Sequence, residues 1–286
     1  MHIAVVGATG QLGADLVDVA REAGHTVTPL GHGEIELTDT QAVAATIAAV
    51  APDAIVNAAA MNHVERCEVE PELAYRINAL GPRNLALAAS ESVALLHVST
   101  DYVFDGVKGR PYVETDLPAP LNAYATAKLA GEHFVASLAR RHQVVRTAAL
   151  YGAHPCRAKP QDNFVRMVLN RAREEGRMRI VRDQYTTPTW TLDLALQLVR
   201  LLEAGPTGIF HATCQGSCTW AEFAEAILRA GGLTAQVEPV TSGEFASPVR
   251  RPSYSVLDNA HLAALGIDIL PDWKNSLERY LVSLNL

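Results

Sequence analysis

The sequence of 286 residues has few cysteines and no excess of positive charge. Its four cysteines are Cys67, Cys156, Cys214 and Cys218, and none has the C-x-x-C spacing of a zinc site. We therefore expect reduced thiols, no disulfide framework and no bound metal. The formal charge of -7 provides no basic field that would attract nucleic acid, so a nucleic-acid partner is excluded.

Long apolar runs are also missing from the sequence. The first run, residues 3–6, is interrupted at once by Gly7 and has no basic leader before it. This pattern predicts neither a signal peptide nor a membrane-spanning helix. We expect a cytoplasmic protein with no membrane partner.

Short apolar runs that alternate with helical patterns indicate the fold. The runs end at glycine or at polar residues, as do strands that are buried on both faces of a parallel sheet. They cover residues 3–6, 26–30, 54–57, 95–99 and 143–150. The sequence predicts an α/β protein with a Rossmann-type, doubly wound parallel sheet and a smaller C-terminal α/β substrate-binding domain.

Domain boundaries follow from the point where this alternation loosens. We expect residues 1–150 to form the NAD(P)-binding domain, rejoined by about 178–213. Residues 151–177 and 214–286 would form the substrate-binding region, which begins with a proline-containing loop at 153–161. A capping box, Thr219-x-x-Glu222, predicts the start of a helix in this region.

A glycine-rich turn follows the first predicted strand. Gly7, Gly10 and Gly13 are spaced three residues apart and lead into a predicted helix. Such a turn lets the backbone approach a pyrophosphate and directs the positive end of the helix at it. The sequence thus predicts a dinucleotide site. The usual acidic residue at the end of the second strand is not evident, since LGHG occupies residues 30–33. This leaves NADPH and NADH both open, and His32 could assist a 2′-phosphate.

Tyr124 and Lys128 predict proton transfer. They lie four residues apart in the string YATAK and so share one face of a predicted helix. A nearby ammonium group favours the phenolate, which would bring the pKa of Tyr124 down towards a useful range. Thr100, at the end of its strand, could hydrogen-bond the substrate oxygen that receives the proton. These three residues are the predicted catalytic set.

With VNAAA at 56–60, STDYVFDG at 99–106 and YATAK at 124–128, the chain resembles the extended short-chain dehydrogenases/reductases. Within them it is most similar to the dTDP-4-dehydrorhamnose reductase family. The resemblance implies reduction of dTDP-4-dehydro-L-rhamnose to dTDP-L-rhamnose with NADPH or NADH. It makes Tyr124 the proton donor, Lys128 its partner and ribose ligand, and Thr100 and Asp101 contacts to the sugar.

The family pattern also assigns the cofactor site. Besides the glycine turn, Tyr124 and Lys128, the implied cofactor contacts are Gln11, Leu12, Glu36, Leu37, Ala60, Met61, Asn62 and Val98. Arg250 and Arg251 could grip the diphosphate of the substrate through paired hydrogen bonds.

Two alternatives remain open at this point. Ala149 stands where relatives often have a tryptophan that packs on the sugar, so a reductase or epimerase of another nucleotide sugar also fits. The family also resembles the NADP-binding regulatory subunit of methionine adenosyltransferase. Dehydration is disfavoured, because Tyr102 replaces the glutamate of related dehydratases. A homodimer and a magnesium requirement are left undecided.

Overall fold

The computed structural model describes residues 1–155, 163–245, 247 and 249–285. Cys156 and most of the predicted loop at 153–161 lie outside these residues. The strands, in chain order, are β1 His2–Val6, β2 Thr26–Leu30, β3 Ala54–Asn57, β4 Ala94–Thr100, β5 Arg141–Thr147, β6 Leu150–Tyr151, β7 Arg177–Val181, β8 Tyr185–Thr186, β9 Thr189–Trp190, β10 Gly208–His211, β11 Cys218–Thr219 and β12 Gln236–Val240.

The helices pack around these strands. They are α1 Gln11–Glu22, α2 Thr40–Val50, α3 Val64–Val69, α4 Pro71–Tyr75, α5 Gly81–Ala88, α6 Ala123–Leu138, α7 Phe164–Glu174, α8 Thr191–Ala204, α9 Trp220–Ala230, α10 Ala260–Ala264 and α11 Trp273–Ser283. A π-helical turn, Arg76–Leu80, separates α4 from α5, and 3₁₀ turns cover Asp101–Val103 and Ser242–Glu244.

The central sheet of the described residues has the order β10-β5-β4-β3-β1-β2, with every neighbouring pair parallel. The chain starts at β1, adds β2 on one side and β3 on the other. In such doubly wound sheets, ligands bind at the carboxyl ends of the strands, where the order reverses. The predicted α/β fold with a Rossmann-type sheet is confirmed.

Both faces of the sheet are covered by helices, which explains why the strands read as continuous apolar runs. On β1, Ile3 and Val5 belong to a core that includes residues of α1 and α8. Ala4 and Val6 point the other way, into a core with residues of α2 and α5. β1 therefore needs apolar side chains on both of its faces.

The chain beyond residue 150 contributes both to the central sheet and to a second apolar core. β10 pairs with β5, and α8 packs on α1, so this stretch extends the central sheet. β7 instead pairs with β12, beside α7 and α9, around a separate apolar core. The assignment of this second core to substrate binding stays a prediction.

Two predicted elements are interrupted, each for a local reason. The helix expected through Tyr75 and Asn78 to about 90 contains the π-helical turn just before Pro82, whose ring cannot continue the regular hydrogen-bond ladder. The strand expected at 143–150 ends at Thr147, because Ala149 has a φ of 45°, a left-handed conformation that a strand does not contain. Among the described helices, none has the length and apolar character needed to cross a lipid bilayer.

Candidate active site

A cleft of about 900 Å³ lies at the carboxyl ends of the central strands. Its walls come from the segments that follow β1 to β5, including the π-helical turn and α6, and from residues beyond 160. Most of the residues that the sequence predicts for the site line it: Gly7, Gly10, Gln11, Leu12, Gly13, Glu36, Leu37, Ala60, Met61, Asn62, Val98, Thr100, Asp101, Tyr124 and Lys128. The structure thus brings the glycine turn and the Thr100, Tyr124, Lys128 set into one cavity.

The glycine turn is built so tightly that side chains are excluded. Gly7 has a φ of 82°, and a Cβ there would lie 2.7 Å from the backbone nitrogen of Ala59. A Cβ on Gly13 would lie 2.1 Å from the carbonyl oxygen of Gly7. Gly10 is the N-cap of α1 and lines the cleft, so the positive end of the helix lies at the cleft. The first turn of α1 contains no acidic residue that would repel a bound anion. This arrangement fits the pyrophosphate of a dinucleotide.

Opposite charges lie close together beyond the end of β2. Glu36 accepts hydrogen bonds from the backbone nitrogen and the hydroxyl of Thr38 at 2.9 and 2.7 Å, and these bonds lower the pKa of its carboxyl. Arg76 donates to the same hydroxyl at 3.3 Å. Arg76 and His32 also line the cleft. The sequence did not indicate Arg76 as a site residue, because it comes from the π-helical turn after α4 rather than from the loop after β2.

Tyr124 lies in the first turn of α6. Asn122 caps this helix by accepting from the backbone nitrogen of Ala125 at 2.9 Å. The phenol of Tyr124 hydrogen-bonds with Thr100, and its ring meets that of Tyr102 edge to face, with centroids 6.3 Å apart. Helix capping and packing therefore fix the phenol at the end of β4.

Lys128 is buried one turn further along α6. Its Nζ donates to the carbonyl oxygen of Val98 at 2.6 Å, and burial lowers its pKa to about 8. From the sequence we expected the ammonium group to lower the pKa of Tyr124. The structure corrects this expectation: burial raises the pKa of Tyr124, and the hydrogen bond with Thr100 only opposes that rise.

Asp101 is a buried carboxyl in the same wall. It accepts a hydrogen bond from the Thr100 hydroxyl at 3.1 Å and hydrogen-bonds with Ser255. Burial nevertheless raises its pKa to about 7. Asp101 can therefore be protonated or ionised near neutral pH.

The two arginines predicted to grip a diphosphate lie beside the cleft. Neither Arg250 nor Arg251 is among the described residues that line it. Arg251 forms an ion pair with Glu65 and hydrogen-bonds with Tyr102. The backbone oxygen of Arg250 accepts from Asn122 at 2.9 Å. Their role at the diphosphate stays a prediction.

Other lining residues were not predicted. They come from the region beyond residue 150 and include Asn163, Gln184, Tyr185, Thr186, Trp220, Pro252 and Ser255. Trp220 is the first residue of α9, directly after the capping residue Thr219, and its ring packs on Phe164 with centroids 4.7 Å apart. An indole thus lines the same cleft as Ala149, from a different part of the chain. The capping box, which the structure confirms, was the only sequence signal near it.

Comparison with known proteins decides the family. The model described as "RmlD substrate binding domain" matches residues 1–286. A dTDP-4-dehydrorhamnose reductase of Streptomyces griseus is 41% identical over 96% of this chain and 90% of its own. This chain belongs to the dTDP-4-dehydrorhamnose reductase family.

Other members of the family differ in their named substrates. A dTDP-4-keto-6-deoxy-D-glucose reductase of Streptomyces niveus is 36% identical over 98% of this chain and 96% of its own. The solved structure of a dTDP-4-dehydrorhamnose reductase of Bacillus anthracis, in complex with NADP, has a TM-score of 0.93 and 34% identity over 99% of both chains. The family therefore supports the fold and the reductase interpretation, while its named sugars vary.

No group of three or more His, Cys, Asp or Glu side chains suited to a metal ion occurs within residues 1–155, 163–245, 247 and 249–285.

Proposed function

We propose that this chain reduces the C4 ketone of a nucleotide-linked 4-keto-6-deoxysugar, with dTDP-4-dehydro-L-rhamnose as its substrate and NADPH or NADH as its cofactor. The single observation that carries the proposal is the meeting of Thr100, Tyr124 and Lys128 in one cleft with the glycine turn. Membership of the family supports the reaction, and the relatives' names support the class of sugar.

The cofactor fits the residues present. Gly7 and Gly13 leave space that a Cβ would fill, and the positive end of α1 faces that space. Bound NADPH or NADH supplies the hydride for the reduction. The other predicted contacts, from Glu36 at the adenosine end to Val98 at the nicotinamide end, line the same cleft.

Tyr124 acts as the general acid. As the ketone carbon is reduced, its oxygen takes the phenolic proton of Tyr124, which leaves a phenolate. The raised pKa of Tyr124 keeps the phenol protonated, and its hydrogen bond with Thr100 orients it. Lys128 provides a positive charge one helical turn away that stabilises the phenolate as it forms.

The substrate end of the cleft combines polar and aromatic groups. Asp101 offers a buried carboxyl for a sugar hydroxyl, and Trp220 offers an aromatic face on which an apolar side of the sugar can pack. Arg250 and Arg251 are proposed for the diphosphate, which requires Arg251 to exchange Glu65 for the phosphate.

The test is oxidation of NADPH or NADH, followed by absorbance, with a panel of nucleotide sugars. We expect turnover only with a dTDP-linked 4-keto-6-deoxysugar. Tyr124→Phe should lower kcat by about 10²-fold or more, the usual size of a general acid's contribution. The matched control is Tyr75→Phe on α4, an exposed phenol, which should retain full activity. A folded Tyr124→Phe protein with full activity would show that another group supplies the proton.

A second candidate, the reduction or epimerisation of another nucleotide sugar, is favoured by Ala149. Its small side chain and φ of 45° shape the wall where relatives often carry tryptophan. Preferential turnover of a different sugar in the same panel would select this candidate. Tight cofactor binding without turnover of any sugar would instead favour a regulatory subunit.

A further inference from the structure

A histidine that the proposed reaction does not use lies against the catalytic lysine. His97, on β4, is fully buried, with 0% of its surface exposed. Its Nδ1 lies 3.1 Å from the Nδ2 of Asn57 on β3, and its Nε2 lies 3.4 Å from the Nζ of Lys128 on α6. His97 therefore connects two neighbouring strands to the helix that carries Tyr124.

The hydrogen bonds around Asn57 determine which nitrogen of His97 carries a proton. The backbone nitrogen of Ala59 donates to Oδ1 of Asn57 at 3.1 Å, so this oxygen is the acceptor and the amide cannot be reversed. Nδ2 of Asn57 must then donate to Nδ1 of His97, which has to be unprotonated. Burial and the charge of Lys128 both lower the pKa of His97, so the ring is neutral. Its one proton is on Nε2, facing Lys128.

A donor that faces Nζ opposes the ammonium form of Lys128. The ammonium group has donors only, and one of them is bound to the carbonyl oxygen of Val98. The neutral amine can accept from Nε2–H, whereas the ammonium ion cannot. The tautomer of His97 should therefore lower the pKa of Lys128, in the same direction as burial, and below that pKa of about 8 the ammonium form still predominates.

Several ionisable groups lie near the contact between His97 and Lys128, on the elements that pack against it. Glu132, one turn along α6, raises the pKa of Lys128 but is itself paired with Arg146 of β5. Asp101, after β4, and Cys67, on α3, face Tyr124 instead. His97, which lies on β4 and is neutral, is thus in direct contact with Nζ of Lys128.

We propose that Asn57 and His97 are positioning residues for Lys128: Asn57 fixes the Nε2–H tautomer of His97, and His97 directs that N–H group at Nζ. The inference rests on the proposed function only for the part that Lys128 plays in reduction. The tautomer and the protonation of Lys128 can be measured whether or not any sugar is reduced.

The first test is nitrogen NMR of the unaltered protein labelled with ¹⁵N-histidine, titrated with pH. The structure contains an internal control, His211, whose pKa burial lowers to about 3. Nδ1 of His211 lies 3.0 Å from the carbonyl oxygen of Tyr112 and must be its donor. We expect two rings that stay neutral below pH 6, one in each tautomer. The proposal would be overturned if both neutral rings carried their proton on Nδ1, or if only one ring stayed neutral below pH 6.

The second test changes the tautomer without moving His97. In Asn57→Asp, the carboxylate can accept from both Ala59 and Nδ1 of His97, which transfers the ring proton to Nδ1 and leaves Nε2 as an acceptor for the Lys128 ammonium. With ¹³Cε-lysine, the four lysines of the chain can be titrated separately. We expect the pKa of Lys128, about 8 in the unaltered protein, to rise by at least half a unit.

The charge that Asn57→Asp adds is controlled by repeating the change in a His97→Gln protein, where the charge remains and the imidazole is absent. We expect most of the rise to be lost in that background. An equal rise with and without His97 would show a direct effect of charge and refute the role of the tautomer. If His97→Gln fails to fold, the histidine spectrum of Asn57→Asp decides: the Nε2–H signal of the unaltered protein must be replaced by a second Nδ1–H signal.

Discussion

Lys128 donates a 2.6 Å hydrogen bond from its Nζ to the carbonyl oxygen of Val98, which ties helix α6 to the end of strand β4. Thr100 lies two residues further along the same strand, and Tyr124 lies one turn earlier on the same helix. One buried hydrogen bond therefore fixes the distance between the phenol and the hydroxyl that orients it. This contact links the packing of the fold to the geometry of the proposed reaction.

The first prediction concerns this contact. Lys128→Met keeps the apolar length of the side chain but removes both the hydrogen bond to Val98 and the positive charge. We expect kcat to fall by about 10²-fold or more, because the phenolate then forms without a nearby cation. The rate is measured by cofactor absorbance, and circular dichroism checks the fold. Lys274→Met, at an exposed position on α11, is the matched control and should retain the rate.

The glycine turn provides the second prediction. Gly13→Ala places a Cβ 2.1 Å from the carbonyl oxygen of Gly7, so the turn must shift. We expect a loss of about 1–3 kcal/mol in the free energy of unfolding, as for other overpacked sites. In Gly10→Ala, the new Cβ has its nearest contact at 3.4 Å, so stability should change little while affinity for the dinucleotide falls. Urea denaturation and cofactor titration separate the two effects.

Gly33→Ala is the control for both glycine variants. A Cβ at Gly33 meets no atom within 4 Å, and the residue is not among the described lining of the cleft. Neither stability nor cofactor affinity should fall. Equal cofactor binding by Gly10→Ala and Gly33→Ala would contradict the placement of the pyrophosphate at the glycine turn.

The central sheet was predictable because its signals are local. The apolar run of β1 ends at Gly7, and the cap of α6 at Asn122 closely precedes Tyr124, so neighbouring residues define both elements. The carboxyl ends of parallel strands meet at one edge of a sheet, which explains why the predicted residues after β1, β3 and β4 meet in the cleft.

Contacts between distant parts of the chain were not predictable in this way. Arg251 pairs with Glu65, 186 residues away, and Trp220 joins the cleft through the packing of α9. The pKa of Tyr124 was not predictable either. Spacing alone suggested a lowered pKa, whereas burial in the folded protein raises it. Sequence spacing indicates which groups are near each other along a helix, but the solvent exposure of those groups depends on the whole fold.

The third prediction concerns the ion pair of Glu132 and Arg146. Their side chains are only 3% and 2% exposed, and Nη2 of Arg146 lies 2.7 Å from the Glu132 carboxylate. Ser99 donates to the same carboxylate at 2.5 Å. Glu132→Gln leaves the arginine charge buried without its partner, so we expect a loss of about 3–5 kcal/mol in the free energy of unfolding.

Urea denaturation measures this loss, and Glu91→Gln is its control. Glu91 pairs with Arg140 at 2.7 Å, but the two side chains are 82% and 72% exposed. An exposed pair contributes about 0–1 kcal/mol, so its loss should be small. Similar losses for the two variants would mean that the buried pair makes no special contribution.

The fourth prediction is the pH dependence that Asp101 gives to stability. Its pKa is about 7 in the folded protein against an ordinary value of 3.8, so between these values the folded state binds more protons than the unfolded state. The contribution of Asp101 is therefore fully present below pH 3.8 and is lost as the pH rises through 7. A difference of about 3 units at about 1.4 kcal/mol per unit corresponds to a loss on the order of 4 kcal/mol.

Asp101→Asn cannot ionise and should escape this loss. Measured by urea denaturation from pH 4 to 8, the free energy of unfolding of the variant should rise relative to that of the unaltered protein as pH increases. Asp116→Asn is a control of opposite sign, because hydrogen bonds from Lys108 and the backbone nitrogen of Val113 lower the pKa of Asp116. That variant should lose stability relative to the unaltered protein as pH increases from acid to neutral. Parallel curves for Asp101→Asn and the unaltered protein would show that Asp101 titrates at its ordinary pKa, which would require water to reach its carboxyl in the folded state.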